Sequence, residues 1–398
     1  MASSSPVKFV CRSSIETNTT FMPAIIADII KIMEDIAPSC LAEEWDNVGL
    51  QVGQKDWPVR TIRIALDPLP NVVAVACRER VDLLITHHPL IFKPLSSVDF
   101  STPVGAIIDM ASKHKMAIFA AHTNLDNAAD GLNDILARII GLNNLKALGK
   151  PIKPEYYKLV IYLPVEYEHK VLTSLFETKA GKIGTYTSCS FRNNGRATFK
   201  PGSLTKPFIG KPDDISHVDE IRLETVVQKD DLESVIEHVR KNHPYETMAY
   251  DVYRLQPSES MLAGRQQGPG RIGDLARKTK LLSFALEIKK KLHLNSIKVA
   301  GKPDLSVKKA ALCTGSGSSL INNFFASGAQ VYISGDFRYH DARAAEAANL
   351  GIIDIGHFAS EHLIVEVLAK RLRKIISKTG IDVKVEACES EIDPFVIM

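Results

Sequence analysis

Stretches with apolar residues at helical spacing alternate along this chain with short apolar runs. The first pattern predicts helices and the second predicts strands. Between Ile25 and Ile36 they recur at helical spacing, and Pro38 ends that helix. Short apolar runs then alternate with longer amphipathic stretches. The predicted strands of this part are 61–66, 81–86 and 116–121, and the predicted helices are 71–80 and 103–115. This order is typical of βαβ units, whose parallel strands bring their C-terminal loops together at one edge, where functional residues gather.

The pattern changes in the middle of the chain. Strands are predicted at 158–163, 185–191, 220–228 and 248–255, with helices at 166–178 and 230–242. This β-α-β-β-α-β order is that of a ferredoxin-like split βαβ domain. Strands followed by helices then return at 308–313, 330–334 and 352–355. We therefore expect an α/β fold in which one α/β domain is interrupted by an α+β insert. Its expected parts are a disordered extension at 1–21, a first α/β part at 22–152, the insert at 153–257 and a second α/β part at 258–398.

Composition narrows the class of protein. Of the 398 residues, 45% are hydrophobic and 24% are charged, and a formal charge of +3 gives no strong signal for a nucleic-acid partner. No apolar run approaches the roughly 18 residues that a membrane span needs. The six cysteines are scattered without a Cys-x-x-Cys pair, which favours reduced thiols and a cytoplasmic location. The Ser/Thr-rich first 21 residues contain Glu16 and few arginines, so they favour an extension over the alternative of an organellar targeting peptide.

Two adjacent histidines, His87 and His88, follow a buried-type strand and precede a proline. Such a position places imidazole nitrogens at the edge of a sheet, where ligands bind in open α/β folds. The alternative is that both side chains cap the strand and bond to the backbone.

Two further predicted strands are followed by residues of the same kind. One is followed by His122 and Asp126, and the other by His357 and Glu361. Individually, Asp126 could cap the helix expected near residue 130, and Glu361 could be an acidic residue in the first turn of a helix. Three strand ends that all carry His, Asp or Glu instead predict one metal site. Imidazole and carboxylate donors without thiolates suit Zn, Fe, Mn or Ni.

The residues at these strand ends belong to a longer series of motifs. In chain order these are EWDNVGLQVG at 44–53, LDP at 66–68, THHPL at 86–90, HTNLD at 122–126, GPGRIGDL at 268–275, CTGSGSS at 313–319, SGDFRYH at 334–340 and GHFASE at 356–361. From residue 22 onward the chain resembles the Nif-three-like family at these motifs. Members of that family are also called GTP cyclohydrolase 1 type 2 homologues.

The resemblance implies a dinuclear metal centre whose ligands are His87, His88, Asp126, His357 and Glu361. It also implies a homohexameric toroid and a middle segment related to PII and CutA proteins. His340 and His122 are candidate catalytic residues that could move a proton, although a structural role is open for each.

Two classes of function follow from these features. The first is a metal-dependent hydrolase of a nucleotide-like small molecule, because an open two-metal site can supply hydroxide near neutral pH. Zinc is the expected metal. The second is a non-enzymatic protein that binds, delivers or senses metal and whose insert reports a small ligand. The metal ligands are visible in the sequence, whereas a substrate motif is not.

Overall fold

The computed structural model of the protein describes residues 24–152, 154–257 and 267–396. The extension predicted at 1–21 lies outside these residues. The described chain forms two compact units. The first unit contains the residues up to Met33, Gly49–Ala120 and Val365–Glu391, and the second contains Glu34–Val48, Ala121–Ile364 and the residues from Ile392.

The elements are numbered here in chain order. The strands are β1 (Gly49–Val52), β2 (Thr61–Ala65), β3 (Leu83–Thr86), β4 (Ala117–Ala120), β5 (Leu142–Ala147), β6 (Tyr156–Pro164), β7 (Ser190–Phe199), β8 (Ser216–Gln228), β9 (Tyr250–Leu255), β10 (Arg271–Lys280), β11 (Lys298–Ala300), β12 (Ser306–Ser316), β13 (Val331–Gly335), β14 (Gly351–Asp354) and β15 (Lys384–Ala387). The helices are α1 (Ile26–Ile36), α2 (Pro70–Arg78), α3 (Pro103–Lys113), α4 (Thr123–Asn127), α5 (Leu132–Ile140), α6 (Glu168–Phe176), α7 (Lys229–Asn242), α8 (Leu281–Lys291), α9 (Ile321–Ala326), α10 (Tyr339–Ala347), α11 (His357–Glu361) and α12 (Leu363–Thr379). Short 3-10 helices lie at Ser39–Leu41, Val165–Tyr167 and Gly317–Leu320.

The first unit contains a five-stranded sheet in the order β1-β4-β3-β2-β15. Strands β4, β3, β2 and β15 run parallel, and β1 pairs antiparallel with β4 at the edge. All residues of β3 and β4 are buried, which explains why these strands read as continuous apolar runs. The parallel order places the C-terminal ends of β2, β3 and β4 at one edge of this sheet.

The second unit contains a six-stranded sheet in the order β11-β14-β13-β12-β10-β5. Its inner strands β12, β13 and β14 are parallel, whereas β10, β5 and β11 join antiparallel. The expectation of parallel strands therefore holds only for part of each sheet. The added strands are mostly half exposed, and for that reason they lack the continuous apolar signal of a buried parallel strand.

A separate four-stranded sheet of the second unit has the order β7-β8-β6-β9, with antiparallel neighbours throughout. Helix α6 lies between β6 and β7 in the chain, and α7 lies between β8 and β9. One predicted strand is misplaced, because 185–191 was expected and β7 spans Ser190–Phe199. This strand is exposed along most of its length and pairs through its backbone with β8, so its polar side chains show no alternation.

Two predictions from composition concern the cysteines and the absence of membrane spans. The cysteines at positions 40, 77, 189, 313 and 388 are free thiols. Within 24–152, 154–257 and 267–396, no helix has both the length and the apolar character that crossing a membrane would require.

Arg271, at the start of β10, is a buried cation that holds several loops of the second unit together. It is 1% exposed, and its Nε atom lies 2.5 Å from Asp134 Oδ1 in α5. Its guanidinium also donates to the carbonyls of Gly268, Gly270 and Ala128 at 2.6–2.9 Å. The charge is thus fully paired, as a buried charge has to be.

We predict that Arg271→Met destabilises the protein by about 3–5 kcal/mol, because it leaves the Asp134 carboxylate buried without its cation. Urea denaturation followed by circular dichroism measures the change. Arg277→Met is the matched control, since Arg277 is exposed on the same strand. Equal stability of the two variants would contradict a structural role for the buried pair.

Candidate metal centre

His87 and His88 directly follow β3 in the first unit. Their amides continue the ladder between β3 and β2, since His87 N donates to Ala65 O at 3.2 Å and His88 N donates to Leu66 O at 2.9 Å. The two rings are 5.1 Å apart between centroids. His87 is only 2% exposed, whereas His88 is half-buried. Both side chains therefore leave the sheet at the edge that the sequence predicts.

The His88 ring is held by a carboxylate of the neighbouring strand end. Its Nδ1 atom lies 2.8 Å from Oδ1 of Asp67, which follows β2. A carboxylate only accepts hydrogen bonds, so this contact places the proton of the ring on Nδ1. The Nε2 atom of the neutral ring is then the nitrogen that carries a lone pair.

His122, a residue of the second unit, is held in the same way. Its Nδ1 atom lies 2.9 Å from Oδ1 of Asp46, whose side chain is 0% exposed. Asp46 also accepts from the Thr123 amide at 3.0 Å and from the Thr123 hydroxyl. Burial by itself would raise the pKa of Asp46, but the hydrogen bonds from His122 and Thr123 outweigh it and hold the pKa at about 2. The Trp45 ring meets the His122 ring edge-on, with 6.0 Å between centroids.

Asp126 lies in the short helix α4 and bonds across to β12. Its Oδ1 atom accepts from the Thr314 hydroxyl at 3.2 Å. Its carbonyl accepts from Asn133 Nδ2 at 3.1 Å, and the other amide atom of Asn133, Oδ1, accepts from Thr314 N at 2.9 Å. The alternative that Asp126 caps the following helix is wrong, because α5 has Gly131 at its N-cap without a side-chain cap bond.

His357 and Glu361 occupy the first and last positions of α11, which follows β14. The helical spacing brings His357 Nε2 to 3.1 Å from Glu361 Oε2, while His357 Nδ1 lies 2.6 Å from Asp336 Oδ2. The hydrogen bond to Glu361 is the largest cause that raises the pKa of His357 to about 9, with Asp336 adding to it against the opposing effect of burial. Glu361 is buried in spite of its charge.

Gly315 shows how closely the backbone approaches this pair. Its φ of +63° is in the left-handed region, and a Cβ atom at this position would overlap Glu361 Oε1. The Gly315 amide donates to Ser360 Oγ at 2.8 Å, which ties β12 to α11. A residue with a side chain at position 315 would therefore displace the Glu361 carboxylate.

These contacts bear on whether the residues suit a metal ion. His88, His122 and His357 each have their Nδ1 atom hydrogen-bonded to a different aspartate. This carboxylate–histidine arrangement fixes the ring and its tautomer in known metal sites. Histidine and carboxylate side chains of the kind that could hold a metal ion occur in both units, namely His87 and His88 in the first and His122, His357 and Glu361 in the second.

Other candidates are less favourably placed. His340 is exposed on α10, and its ring lies against Tyr339 with 5.5 Å between centroids.

The aspartates at 46, 67 and 336 were not among the predicted site residues. A signal for two of them was present, because Asp67 stands directly after the predicted strand 61–66 and Asp336 stands two residues after the predicted strand 330–334.

The family model described as Duf34/NIF3 (NGG1p interacting factor 3) matches residues 24–394. The chain belongs to this family. The resemblance seen in the sequence motifs is thereby confirmed.

Relatives and solved structures of this family cover nearly the entire chain. A GTP cyclohydrolase 1 type 2 homolog of Bacillus subtilis is 36% identical over 370 residues, which cover 93% of this chain and 98% of the relative. The crystal structure of a Bacillus cereus protein related to NIF3 is similar with a TM-score of 0.78 and 35% identity, covering 95% of this chain and 100% of that one. A Staphylococcus aureus protein of known structure has a TM-score of 0.68 and 30% identity, covering 94% and 99%.

We predict that Asp46→Ala destabilises the protein by about 1–3 kcal/mol, because the amide of Thr123 and the His122 ring lose their buried acceptor. Urea denaturation measures the loss. Asp304→Ala is the control, since Asp304 is exposed. A change within experimental error of this control would show that Asp46 does not organise the loop before α4.

Proposed function

We propose that this member of the Duf34/NIF3 family binds two divalent metal ions through His87, His88, Asp126, His357 and Glu361. The observation that carries the proposal is the pairing of His88 and His357 with aspartates at Nδ1, at 2.8 and 2.6 Å. Such partners are expected of metal ligands. The family resemblance is the reason for joining the ligands of both units in one centre.

The donor atoms suggest the class of metal. They are imidazole nitrogens and carboxylate oxygens, which suit Zn, Fe, Mn or Ni, and we propose zinc first. Five protein ligands shared by two ions leave coordination positions for water or substrate.

We further propose that the protein is a hydrolase of a nucleotide-like small molecule. The names of its relatives as GTP cyclohydrolase 1 type 2 homologs support this substrate class. When bound, the metal ions would lower the pKa of a water ligand and polarise the bond that is attacked. The chain would contribute His122, which Asp46 holds in one orientation for moving a proton. His340 is less suitable for this step, because its side chain is exposed on α10.

We predict that His88→Ala and His357→Ala each lower the zinc content of the purified protein by at least about half, because each removes a ligand whose orientation the fold has fixed. Inductively coupled plasma mass spectrometry measures the content. These two histidines are half-buried, so their loss disturbs the core less than that of His87 would. His114→Ala is the control, since His114 is exposed at the end of α3.

The same preparations test the activity. The zinc-loaded protein should hydrolyse at least one member of a panel of nucleotides and phosphoesters, and both variants should lose that activity while His114→Ala keeps it. Unchanged zinc in both variants would contradict the ligand assignment. Full zinc occupancy without turnover of any substrate would contradict the hydrolase and favour a protein that only binds metal.

We also propose that residues 153–257 form an inserted domain related to PII and CutA proteins. Its sheet has its own apolar core, which includes Leu159, Ile161 and Leu223. Its first and last strands are neighbours, with Tyr156 opposite Leu255. The chain therefore enters and leaves the four-stranded sheet at adjacent points, as insertion into a loop requires.

We predict that replacing residues 153–266 by a short flexible linker leaves zinc binding intact. The linker would join Ile152 to Gln267, which form an antiparallel bridge in which Ile152 N donates to Gln267 O at 2.9 Å. Zinc content and circular dichroism are the measurements. Loss of both solubility and zinc on excision would contradict an independent insert.

The family resemblance is also the basis for proposing a homohexamer, a closed assembly of the kind that soluble homo-oligomers usually adopt. Size-exclusion chromatography with light scattering should give six times the mass of the 43.8 kDa chain. A mass of one chain over a wide range of concentrations would reject the assembly.

A further inference from the structure

Glu391 is a buried carboxylate that stands far from the histidines in the sequence and close to one of them in the first unit. It is 8% exposed and follows β15. Both of its oxygens accept from the amide of Leu66, at 3.0 and 2.8 Å, and Oε1 also accepts from the amide of Asp67 at 2.9 Å. A carboxylate is thus placed where a further strand residue would otherwise supply acceptors.

These bonds lie where the hydrogen-bond ladder between β2 and β15 ends. Strands β2 and β15 pair as far as Ile64 and Ala387, and Cys388 N then donates to Ile64 O at 2.7 Å. Beyond that point, the Glu391 side chain supplies the acceptors for the two amides that follow β2, in place of the backbone of β15. The turn after β2 is therefore held on this side by one side chain.

On its other side, the same turn holds His88 twice. Leu66 O accepts from the His88 amide at 2.9 Å, and Asp67 Oδ1 lies 2.8 Å from His88 Nδ1. Leu66 and Asp67, whose amides bond to Glu391, thus also bond to the backbone and to the ring of His88, respectively. Glu391 is therefore linked to the backbone of His88 through Leu66 and to its imidazole through Asp67.

We propose that Glu391 is a positioning residue for His88, which it acts on through the backbone of Leu66 and Asp67. This role rests on the proposed metal function, since it concerns how well His88 is oriented as a ligand. In this role the segment after β15 helps to orient a residue of the metal centre, although Glu391 itself is not one of the proposed ligands. Partners that orient a ligand typically change metal affinity by about 10–100-fold when they are lost.

Two variants separate this role from a simple effect of negative charge. Glu391→Asp keeps the charge but is one methylene shorter, so it no longer reaches both amides. Glu391→Gln removes the charge but keeps the length. Its Oε1 atom can still accept from the amides of Leu66 and Asp67, while its NH2 group cannot accept the second bond from the Leu66 amide. Positioning therefore predicts a larger loss for the aspartate variant, and charge predicts a larger loss for the glutamine variant.

The experiment titrates the metal-free full-length protein with Zn²⁺ against a chromophoric chelator. Glu391→Asp should bind Zn²⁺ about 10–100-fold more weakly than the wild type. Glu391→Gln should lose clearly less affinity than Glu391→Asp, because it keeps the two bonds to Oε1. Asp67→Asn is the positive control, because it removes the partner of His88 Nδ1 directly. Glu389→Asp is the matched negative control, since Glu389 is exposed two residues earlier.

Two further measurements report on the position of His88 itself. The visible absorption spectrum of the Co²⁺-loaded protein should change in Glu391→Asp and in Asp67→Asn, but not in Glu389→Asp. Hydrogen exchange of the metal-free protein, measured by mass spectrometry on peptides that contain residues 66–67 and 88, should be faster in Glu391→Asp than in Glu391→Gln. Circular dichroism verifies that each variant is folded.

The outcomes distinguish this proposal from the proposed function. Full Zn²⁺ binding by the wild type with an unchanged affinity and Co²⁺ spectrum in Glu391→Asp would overturn the role of Glu391 alone. A loss in Glu391→Gln equal to or greater than that in Glu391→Asp would also overturn it, in favour of charge. No Zn²⁺ binding by the wild type would overturn the metal function and this role with it.

Discussion

A histidine can bind a metal ion only through a nitrogen that carries no proton, and the ring has to point that nitrogen at the ion. Both requirements are met in a neutral ring when a carboxylate accepts a hydrogen bond from Nδ1–H, because the proton then stays on Nδ1, Nε2 keeps its lone pair and the plane of the ring is fixed. In this protein the Nδ1 atoms of His88, His122 and His357 each have such a partner. The raised pKa of His357 keeps a second proton on Nε2, which faces Glu361, and a metal ion would have to replace that proton. The candidate metal centre depends on these three pairs more than on any other contact described here.

The pairs in turn explain much of the polar structure around the strand ends. Asp46 is held by Thr123, and it keeps a pKa of about 2 despite burial, so it remains a charged acceptor near neutral pH. Gly315 leaves room for Glu361 beside His357. Farther along the same unit, Arg271 neutralises Asp134 and bonds to three loop carbonyls. Each of these buried charges has a partner, as the cost of burying a charge requires.

The sequence predicted those parts of the fold that have their own apolar signal. Strands β3 and β4 are buried on every residue, and their apolar runs located them. Strand β15 was not predicted, because its alternation of charged and apolar residues covers only four positions, Lys384–Ala387, which gives a weak strand signal. It is a strand only because β2 supplies its partner, and that pairing is a tertiary contact that a local pattern does not contain.

The residues of the candidate site also fall into those that a local sequence pattern locates and those that it does not. His87, His88, His122 and His357 stand directly after predicted strands or one residue later, so their location follows from the chain order. Glu391 could not be found in that way, because the bond from the Asp67 amide to its carboxylate joins residues 324 positions apart. The chemistry of a ligand can be recognised from its residue type, whereas the partner that orients it is defined by distance in the folded chain.

The pairing of β15 with β2 has a consequence for how this protein is made. Ribosomes release a chain from its N-terminus, and a strand cannot pair before its partner has been synthesised. Strand β2 ends at Ala65, but the neighbour on its outer side begins only at Lys384. The outer side of β2 therefore lacks this neighbour until residues 384–387 have been synthesised. Because His88 follows β3, which pairs with β2, the sheet beside this histidine is completed only after residues 384–387 have left the ribosome.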